Sequence, residues 1–389
     1  MLRRQIKNYM EKEIYYWSPF LGRVATIRSV VNSMIGLKMY RGKYYKIKLI
    51  NCYGEWNILK SYLRRKNINI INLQEKINFN INLHGFIISR LIYFFTLIIS
   101  YKKLKNLLIK NKPNFLMVHL LTYIPFIMYL NNNFKTKLIL RISGKPKLNF
   151  FRSFLWKISN KNISLVFCPT IETMDYLKKK NIFDKEKLKF LPDPVIFEEE
   201  IKKLTKERSK SKLKLNNNSF FLSVGRLTKQ KNHELLISFY KKYEIKEKLV
   251  IIGNGELKDY LIKLIRKLNL EKKIFILNYR KNIFFYIKRA KAVIVPSLWE
   301  DPGFVMIESA YSKKSIICSD CPSGPKEFIG KNKGGFLFRS DSLVSLNSSI
   351  KSFLNLNKND LNKKILYAKK KSKIYTIENH SKMINRYLN

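Results

Sequence analysis

Short apolar runs and longer helix-like segments alternate along this chain twice over. That alternation constrains the fold more than any other feature of the sequence. In the first half the strand-like runs are EIYYWS, YKIKLIN, FLMVHL, TKLILRI and LVFCPT; in the second they are SFFLSVG, KLVIIG, KIFILN, KAVIVPS and SIICSD. Helix-like segments lie between them, among them 23–39, 85–110 and 172–180, then 233–243, 256–268, 283–289 and 305–312. Strand, helix and strand in succession predict parallel sheets covered on both faces. Two such series predict an α/β chain of two doubly wound domains, and 389 residues suit two cores better than one.

The polar stretch EEEIKKLTKERSKSKLKLNNN, 198–218, has no strong apolar period, so the boundary is expected near it. The expected organisation is a first domain over 1–200, a second over 201–370, and a helical end over 371–389 placed to cross back to the first. The most apolar segment, GFIISRLIYFFTLIIS at 85–100, carries Arg90 and is shorter than a span requires. It reads as a buried helix, with a helix lying in the membrane interface as the alternative, because YKKLKNLLIKNK follows it. The first residues lack the apolar region and cleavage site of a signal peptide.

Charge narrows the partners. The chain carries 77 basic against 27 acidic residues, a formal charge of +50. Lys, Asn and Ile are inflated together, the signature of an AT-rich genome, so part of this charge is compositional. The rest predicts attraction to phosphates or anionic headgroups. Nucleic acid is the non-enzyme rival, but basic and aromatic residues are not interleaved on any one element, and the reading is of no nucleic-acid partner. Four scattered cysteines suit a reducing compartment. Cys318 and Cys321 have C-x-x-C spacing, but no second pair and no nearby His completes a zinc site. No D-x-D pair occurs, and neither a metal nor a cofactor is expected.

In open parallel sheets ligands bind beyond the carboxyl ends of the strands, so the residues that follow each strand carry the chemistry. After SFFLSVG comes RLTKQKN: Gly225 lets the backbone turn, and Arg226 and Lys231 are two cations suited to a diphosphate. A solvated basic loop is the plain alternative. After KLVIIG comes Gly253-Asn254-Gly255; Lys258 stands where a dinucleotide fingerprint needs glycine, which rejects a nicotinamide or flavin site. After KAVIVPS comes LWEDPGFVMIE. Asp301 is expected to cap a helix with Pro302 in its first turn. Gly303, Phe304 and Val305 then offer N–H groups at a positive helix end, with Glu300 before it and Glu308 within it. Two carboxylates around an anion-friendly helix start suit hydroxyls flanking phosphates: a sugar at Glu300 and a ribose at Glu308. After SIICSD, CPSGPKEFIG opens another helix.

With these motifs together, SVGRLTKQKN, IIGNGEL, VPSLWEDPGFVMIESA and SDCPSGPKEFIG, the chain resembles a retaining glycosyltransferase of family 4, a group 1 glycosyltransferase. Glu300 and Glu308 match the family's E-x7-E motif. The resemblance implies the GT-B fold, two Rossmann-like domains facing a central cleft. It implies that Glu300 and the amides after it hold the donor sugar, that Glu308 holds the ribose, and that Arg226 and Lys231 hold the diphosphate. The segment LNYRKN, with Tyr279, resembles the loop that brackets the nucleobase. Where the family often has Gly-Phe-Gly, this chain has Asp-Pro-Gly, which changes contacts to the sugar.

In the first half, Gly22 and Arg23 resemble the family's glycine-containing first loop, on the acceptor side. His119, ending FLMVHL, resembles the family's histidine near the reacting sugar; a structural histidine is the other reading. Arg141 begins a strand-end loop and is a candidate for a phosphate of donor or acceptor, whereas Asp193 reads as structural. The function implied is transfer, with retention, of a hexose or N-acetylhexosamine from a nucleotide-diphospho-sugar, UDP-linked by expectation. The acceptor is a glycan or polyprenyl-linked glycan of a surface polysaccharide, at the cytoplasmic face of an anionic inner membrane. A glycoside hydrolase also pairs carboxylates but leaves Arg226 and Lys231 unexplained. An epimerase or hydrolase of the same fold, acting on the donor without an acceptor, is the nearer rival.

Overall fold

The structure, a computed structural model, describes residues 11–20, 25–74, 86–206 and 216–389, with the side chains of 25 and 86–98 left undescribed. Gly22 and Arg23 lie outside the described residues. The chain divides into two compact units, Met1–Pro194 with Ile377–Asn389, and Val195–Thr376.

The first unit is built on β1 (Lys12–Trp17), β2 (Tyr45–Asn51), β3 (Asn69–Asn72), β4 (Phe115–Val118), β5 (Lys137–Arg141), β6 (Ile163–Cys168) and β7 (Leu188–Phe190). Their order in the sheet is β3-β2-β1-β4-β5-β6-β7, and every described pairing is parallel. The second unit has β8 (Phe220–Val224), β9 (Lys248–Ile252), β10 (Ile274–Leu277), β11 (Ala292–Val295), β12 (Ile316–Ser319) and β13 (Phe336–Phe338). Its order is β10-β9-β8-β11-β12-β13, again parallel throughout. In both, the chain winds outward from a first strand and then returns to wind the other way. This is the doubly wound α/β arrangement, with switch points between β1 and β4 and between β8 and β11.

Burial on both faces explains why the central strands read as unbroken apolar runs. All four residues of β4, β11 and β12 are buried. Successive side chains feed opposite layers: Phe220 and Leu222 of β8 join one core cluster, and Phe221 joins the other.

The polar stretch read as a boundary begins as a helix, Glu198–Lys206. Ile201 and Leu204 bury one face against the helix Phe284–Arg289. Three glutamates in the first turn and Lys203 and Lys206 in the last suit the helix dipole. Two apolar residues one turn apart are enough to seat so short a helix, which is why no longer period shows in the sequence.

The last helix, Ile377–Leu388, packs on the helix Ala25–Arg41 within the first unit. Gly36 permits the close approach: a Cβ there would stand 2.7 Å from the Ile377 carbonyl oxygen. From residue 86 on, the apolar segment falls in the helix Phe86–Asn111, where Leu104 and Leu108 are buried. Among the described residues, no helix is long and apolar enough to cross a membrane.

Candidate active site

The C-terminal ends of β8, β9, β11 and β12, side by side around the second unit's switch point, carry one connected set of loops. Gly225 follows β8 and donates its N–H to the Ile252 carbonyl at 3.0 Å. Its missing side chain makes room for the Lys231 stem, whose Cγ and Cδ would be 3.2 Å from a Cβ at 225. Beneath it, a Cβ at Gly253 would lie 1.8 Å from the Gly225 carbonyl oxygen, and one at Gly255 2.3 Å from that of Leu227. The Gly-Asn-Gly turn after β9 is therefore the floor on which the basic loop rests. Leu227 N–H to Asn254 O at 2.9 Å and Leu257 N–H to Leu227 O at 3.0 Å stitch the two together.

The loop after β11 joins them from the other side of the switch point. Leu298 donates its N–H to Gln230 O at 2.8 Å, and Gln230 Nε2 donates to Trp299 O at 3.0 Å. Lys231 Nζ reaches Glu300 Oε1 at 2.5 Å, and Ser297 Oγ donates to the same oxygen at 2.6 Å. Ser319, ending β12, donates to the Ser297 carbonyl. Glu300 is buried, so a cation and a hydroxyl compensate its charge there. Arg226 is exposed, with Nη2 donating to Gln230 Oε1 at 3.3 Å.

Gly303, not Asp301, precedes the helix Phe304–Tyr311, with φ +94°. That left-handed backbone ends the loop and cannot continue the helix, so Asp301 and Pro302 lie outside it, correcting the capping expected from the sequence. The Asp301 carboxylate instead accepts from Ser323 Oγ at 3.0 Å. Phe304 and Val305 open the helix, and Glu308, in its second turn, is buried. From β12, Pro322 accepts the Glu300 N–H at 3.1 Å, and Gly324, at φ +119°, sits against Pro302, where a Cβ would be 2.6 Å from the carbonyl oxygen. Tyr279 is exposed beyond β10, its N–H donating to Asn254 Oδ1 at 3.2 Å. A fixed ion pair, a second exposed cation, a helix start and a buried carboxylate thus share one sheet end. Chemically this set can bind phosphates and hydroxyls together.

Residues 205–372 match the family described as Glycosyl transferases group 1. An enzyme of Campylobacter jejuni named N-acetylgalactosamine-N,N'-diacetylbacillosaminyl-diphospho-undecaprenol 4-alpha-N-acetylgalactosaminyltransferase is 30% identical over 267 residues, 66% of this chain and 71% of that one. The chain belongs to the group 1 glycosyltransferases. An Escherichia coli UDP-Gal:alpha-D-GlcNAc-diphosphoundecaprenol alpha-1,3-galactosyltransferase is 28% identical over 57% of this chain and 58% of its own. Among solved structures, a Rickettsia africae glycosyltransferase matches with TM-score 0.75 at 16% identity over 97% of this chain and 98% of that one. Anabaena HepE in complex with UDP matches with TM-score 0.68 at 15% identity, over 97% and 99%. These structural likenesses are of fold, and they agree with the expected GT-B class.

In this glycosyltransferase the sequence reading missed Ser297, Gln230 and His233. Ser297 stands three residues before Glu300, a spacing that suits a local hydrogen bond. His233 opens the helix His233–Lys242 directly after the basic loop, with Nδ1 3.3 Å from Ser223 Oγ. Burial, with the Lys231 charge beside it, lowers its pKa to about 3, so it is a neutral wall of the site. Cys318 and Cys321 are both buried free thiols; burial pushes Cys321 up to about 12 and Cys318 well above its usual value. Among the described residues no group of His, Cys, Asp and Glu has the geometry to hold a metal.

In the first unit, His119 follows β4 and donates its N–H to Trp17 O at 2.9 Å. Its ring stacks on Tyr16, with centroids 5.7 Å apart, and its Nε2 is buried with no hydrogen-bond partner among the described residues. Burial and the Arg141 charge hold it well below the usual histidine pKa. Arg141 ends β5 and is buried; Nη2 donates to Asp193 Oδ1 at 2.6 Å and Nη1 to Phe167 O at 3.3 Å. Ser29 Oγ completes the pair, donating to the same Asp193 oxygen. Arg141 thus belongs to an internal ion pair rather than projecting from a loop, because an Asp193 buried beside it needs a cation.

Proposed function

We propose that this glycosyltransferase takes a UDP-linked hexose or N-acetylhexosamine and transfers the sugar, with retention of configuration, to a polyprenyl-diphosphate-linked glycan in surface polysaccharide synthesis. The observation that carries this reading is the Lys231–Glu300 ion pair at the switch point, flanked by Arg226 and by the start of the helix that bears Glu308. In it, Arg226 and Lys231 hold the diphosphate. Glu300 and the amides of Gly303, Phe304 and Val305 hold the sugar. Glu308 accepts the ribose hydroxyls, and the segment with Tyr279 flanks the base. The bond from the sugar to the diphosphate breaks as the bond to the acceptor oxygen forms. Charge grows on the leaving diphosphate, where fixed cations and helix N–H groups stabilise it most. The acceptor proton goes to a phosphate oxygen, so the chain need supply no covalent nucleophile. No metal is required in this reading, since the cations are the protein's own and the sequence has no D-x-D pair.

Support for the donor comes from the solved HepE complex, which contains UDP. Support for the acceptor comes from the Campylobacter jejuni and Escherichia coli relatives, both named for diphospho-undecaprenol substrates. In this reading the enzyme works peripherally on an anionic membrane, at its cytoplasmic face.

The test is thermal stability with UDP, GDP, ADP and CMP for the wild type and for Arg226→Ala and Glu308→Ala. Stabilisation by UDP that both variants lose is the expected result. Stabilisation by another nucleotide reassigns the base, and none from any of them overturns the donor site. Release of free sugar from the UDP-sugar without acceptor, as the main reaction, overturns transfer in favour of hydrolysis.

A further inference from the structure

The helix Phe150–Ser159 turns two of its apolar side chains inward, Leu155 and Trp156, and leaves the larger set outside. Phe150 is 88% exposed, Phe151 70% and Phe154 55%, with Ile158 exposed after them. Phe150, Phe154 and Ile158 follow at i, i+4 and i+8 and form one ridge, with Phe151 beside it. The Phe150 and Phe154 rings stack, centroids 6.4 Å apart. One exposed phenylalanine needs no explanation, but a continuous aromatic ridge on a capped helix does. Asn149 caps it, accepting the Arg152 N–H at 2.9 Å, so the ridge sits on a formed helix.

Charge says what covers this ridge. Arg152, Lys157 and Lys161 are exposed around it, with Lys147 on the approach. Lys145 is paired with Glu172 at 3.2 Å. From Lys76 to Ile171 the chain has fifteen Lys and Arg and no Asp or Glu. The helix Tyr123–Leu130 packs against both the ridge helix and Phe86–Asn111, which exposes Lys102, Lys103 and Lys110. A second copy of this chain would bring lysines against lysines. An anionic bilayer answers both features at once, with headgroups for the cations and acyl chains for the rings.

We propose that the helix Phe150–Ser159 is the membrane-docking element, inserting Phe150, Phe151 and Phe154 into the interface of an anionic bilayer. This rests on the peripheral membrane placement proposed above and assigns it to one surface.

The experiment is flotation of the full chain with phosphatidylcholine vesicles, with and without phosphatidylglycerol, at about 0.15 M salt. The variants are Phe150→Ser/Phe151→Ser/Phe154→Ser combined, and Arg152→Gln/Lys157→Gln. All five side chains are exposed, so both variants are expected to fold and to keep the nucleotide response of the wild type. Wild type should float with the anionic vesicles and not with the neutral ones. The aromatic variant should bind at least about tenfold more weakly. The basic variant should also weaken, and the residual binding should fall as salt rises. The native cysteines are buried, so a Phe151→Cys variant can carry an environment-sensitive dye, which should shift to the blue on those vesicles. If the aromatic variant floats like wild type, the docking helix is wrong and the membrane placement survives. If wild type ignores anionic vesicles, both are wrong. Self-association of wild type without lipid, lost in the aromatic variant, would assign the ridge to a second copy and overturn the proposal.

Discussion

Lys231 Nζ lies 2.5 Å from Glu300 Oε1, so the cation assigned to the diphosphate and the carboxylate assigned to the sugar form one ion pair. The pair is nearly enclosed, with 19% of the Lys231 side chain and 6% of that of Glu300 exposed. It is therefore coupled to stability as well as to the donor. Lys231→Ala leaves the carboxylate buried with only Ser297 to answer it, and should cost about 3 kcal/mol. Lys231→Met combined with Glu300→Gln removes both charges and should recover most of that stability but no transfer activity. Urea denaturation of the wild type, Lys231→Met, Glu300→Gln and the double variant gives the coupling. Additive losses would show that the pair is not a unit.

Gly253→Ala tests whether the turn after β9 supports the basic loop. Its Cβ would fall 1.8 Å from the Gly225 carbonyl oxygen and 2.9 Å from its carbon, both backbone, so the loop itself must move. Arg226 and Lys231 ride on that loop. The variant should lose most nucleotide stabilisation, with donor KM raised about tenfold or more, a displacement penalty of the size expected when positioned groups shift by an ångström. Nucleotide calorimetry checks it; unchanged affinity would mean that the loop tolerates the shift.

The placement of the candidate site residues was legible in the sequence where it is local. Arg226 and Lys231 follow the end of β8, and Glu300 that of β11, by seven residues or fewer, Glu308 lies on the helix that comes next, and doubly wound sheets bring strand ends together. Ser297 was as local but easily passed over, because a serine after an apolar run is common. The edge strands β3 and β13, NIIN and FLF, are too short to show a period and form only because a neighbouring strand pairs with them. The contacts of Arg141 were not legible, for a different reason. Its partner Asp193 is 52 residues away, and nothing in LILRIS reveals that the side chain turns inward. Likewise His380 and Ser33, 347 residues apart, meet only because the last helix packs on the first.

That last contact belongs to a set of three buried histidines, His119, His233 and His380, which should make the fold sensitive to acid. His380 Nδ1 is 2.7 Å from Pro192 O and Nε2 is 2.9 Å from Ser33 Oγ, while His119 and His233 are buried elsewhere. Burial lowers His233 and His380 to about 3 and His119 well below its usual value. In the unfolded chain each titrates near ~6.5. The folded state therefore binds fewer protons than the unfolded state below that pH. Stability is full above pH ~6.5 and is lost as pH falls toward the folded values, by about 1.4 kcal/mol per pH unit for each histidine. Glu55 acts in the opposite sense: burial raises it to about 7, so it takes up a proton on folding as pH falls and offsets one histidine. Two histidines' worth remains, and each is only half protonated in the unfolded chain at pH ~6.5, so moving from pH 6.5 to 5.5 should cost about 2 kcal/mol. Urea midpoints across that window check it. Glu55→Gln should steepen the loss. His380→Asn should be less stable at pH 7.5, having lost its bonds to Ser33 and Pro192, yet fall less steeply toward pH 5.5. Stability that stays level from pH 7 to 5.5 in the wild type would mean that these imidazoles reach water in the folded protein.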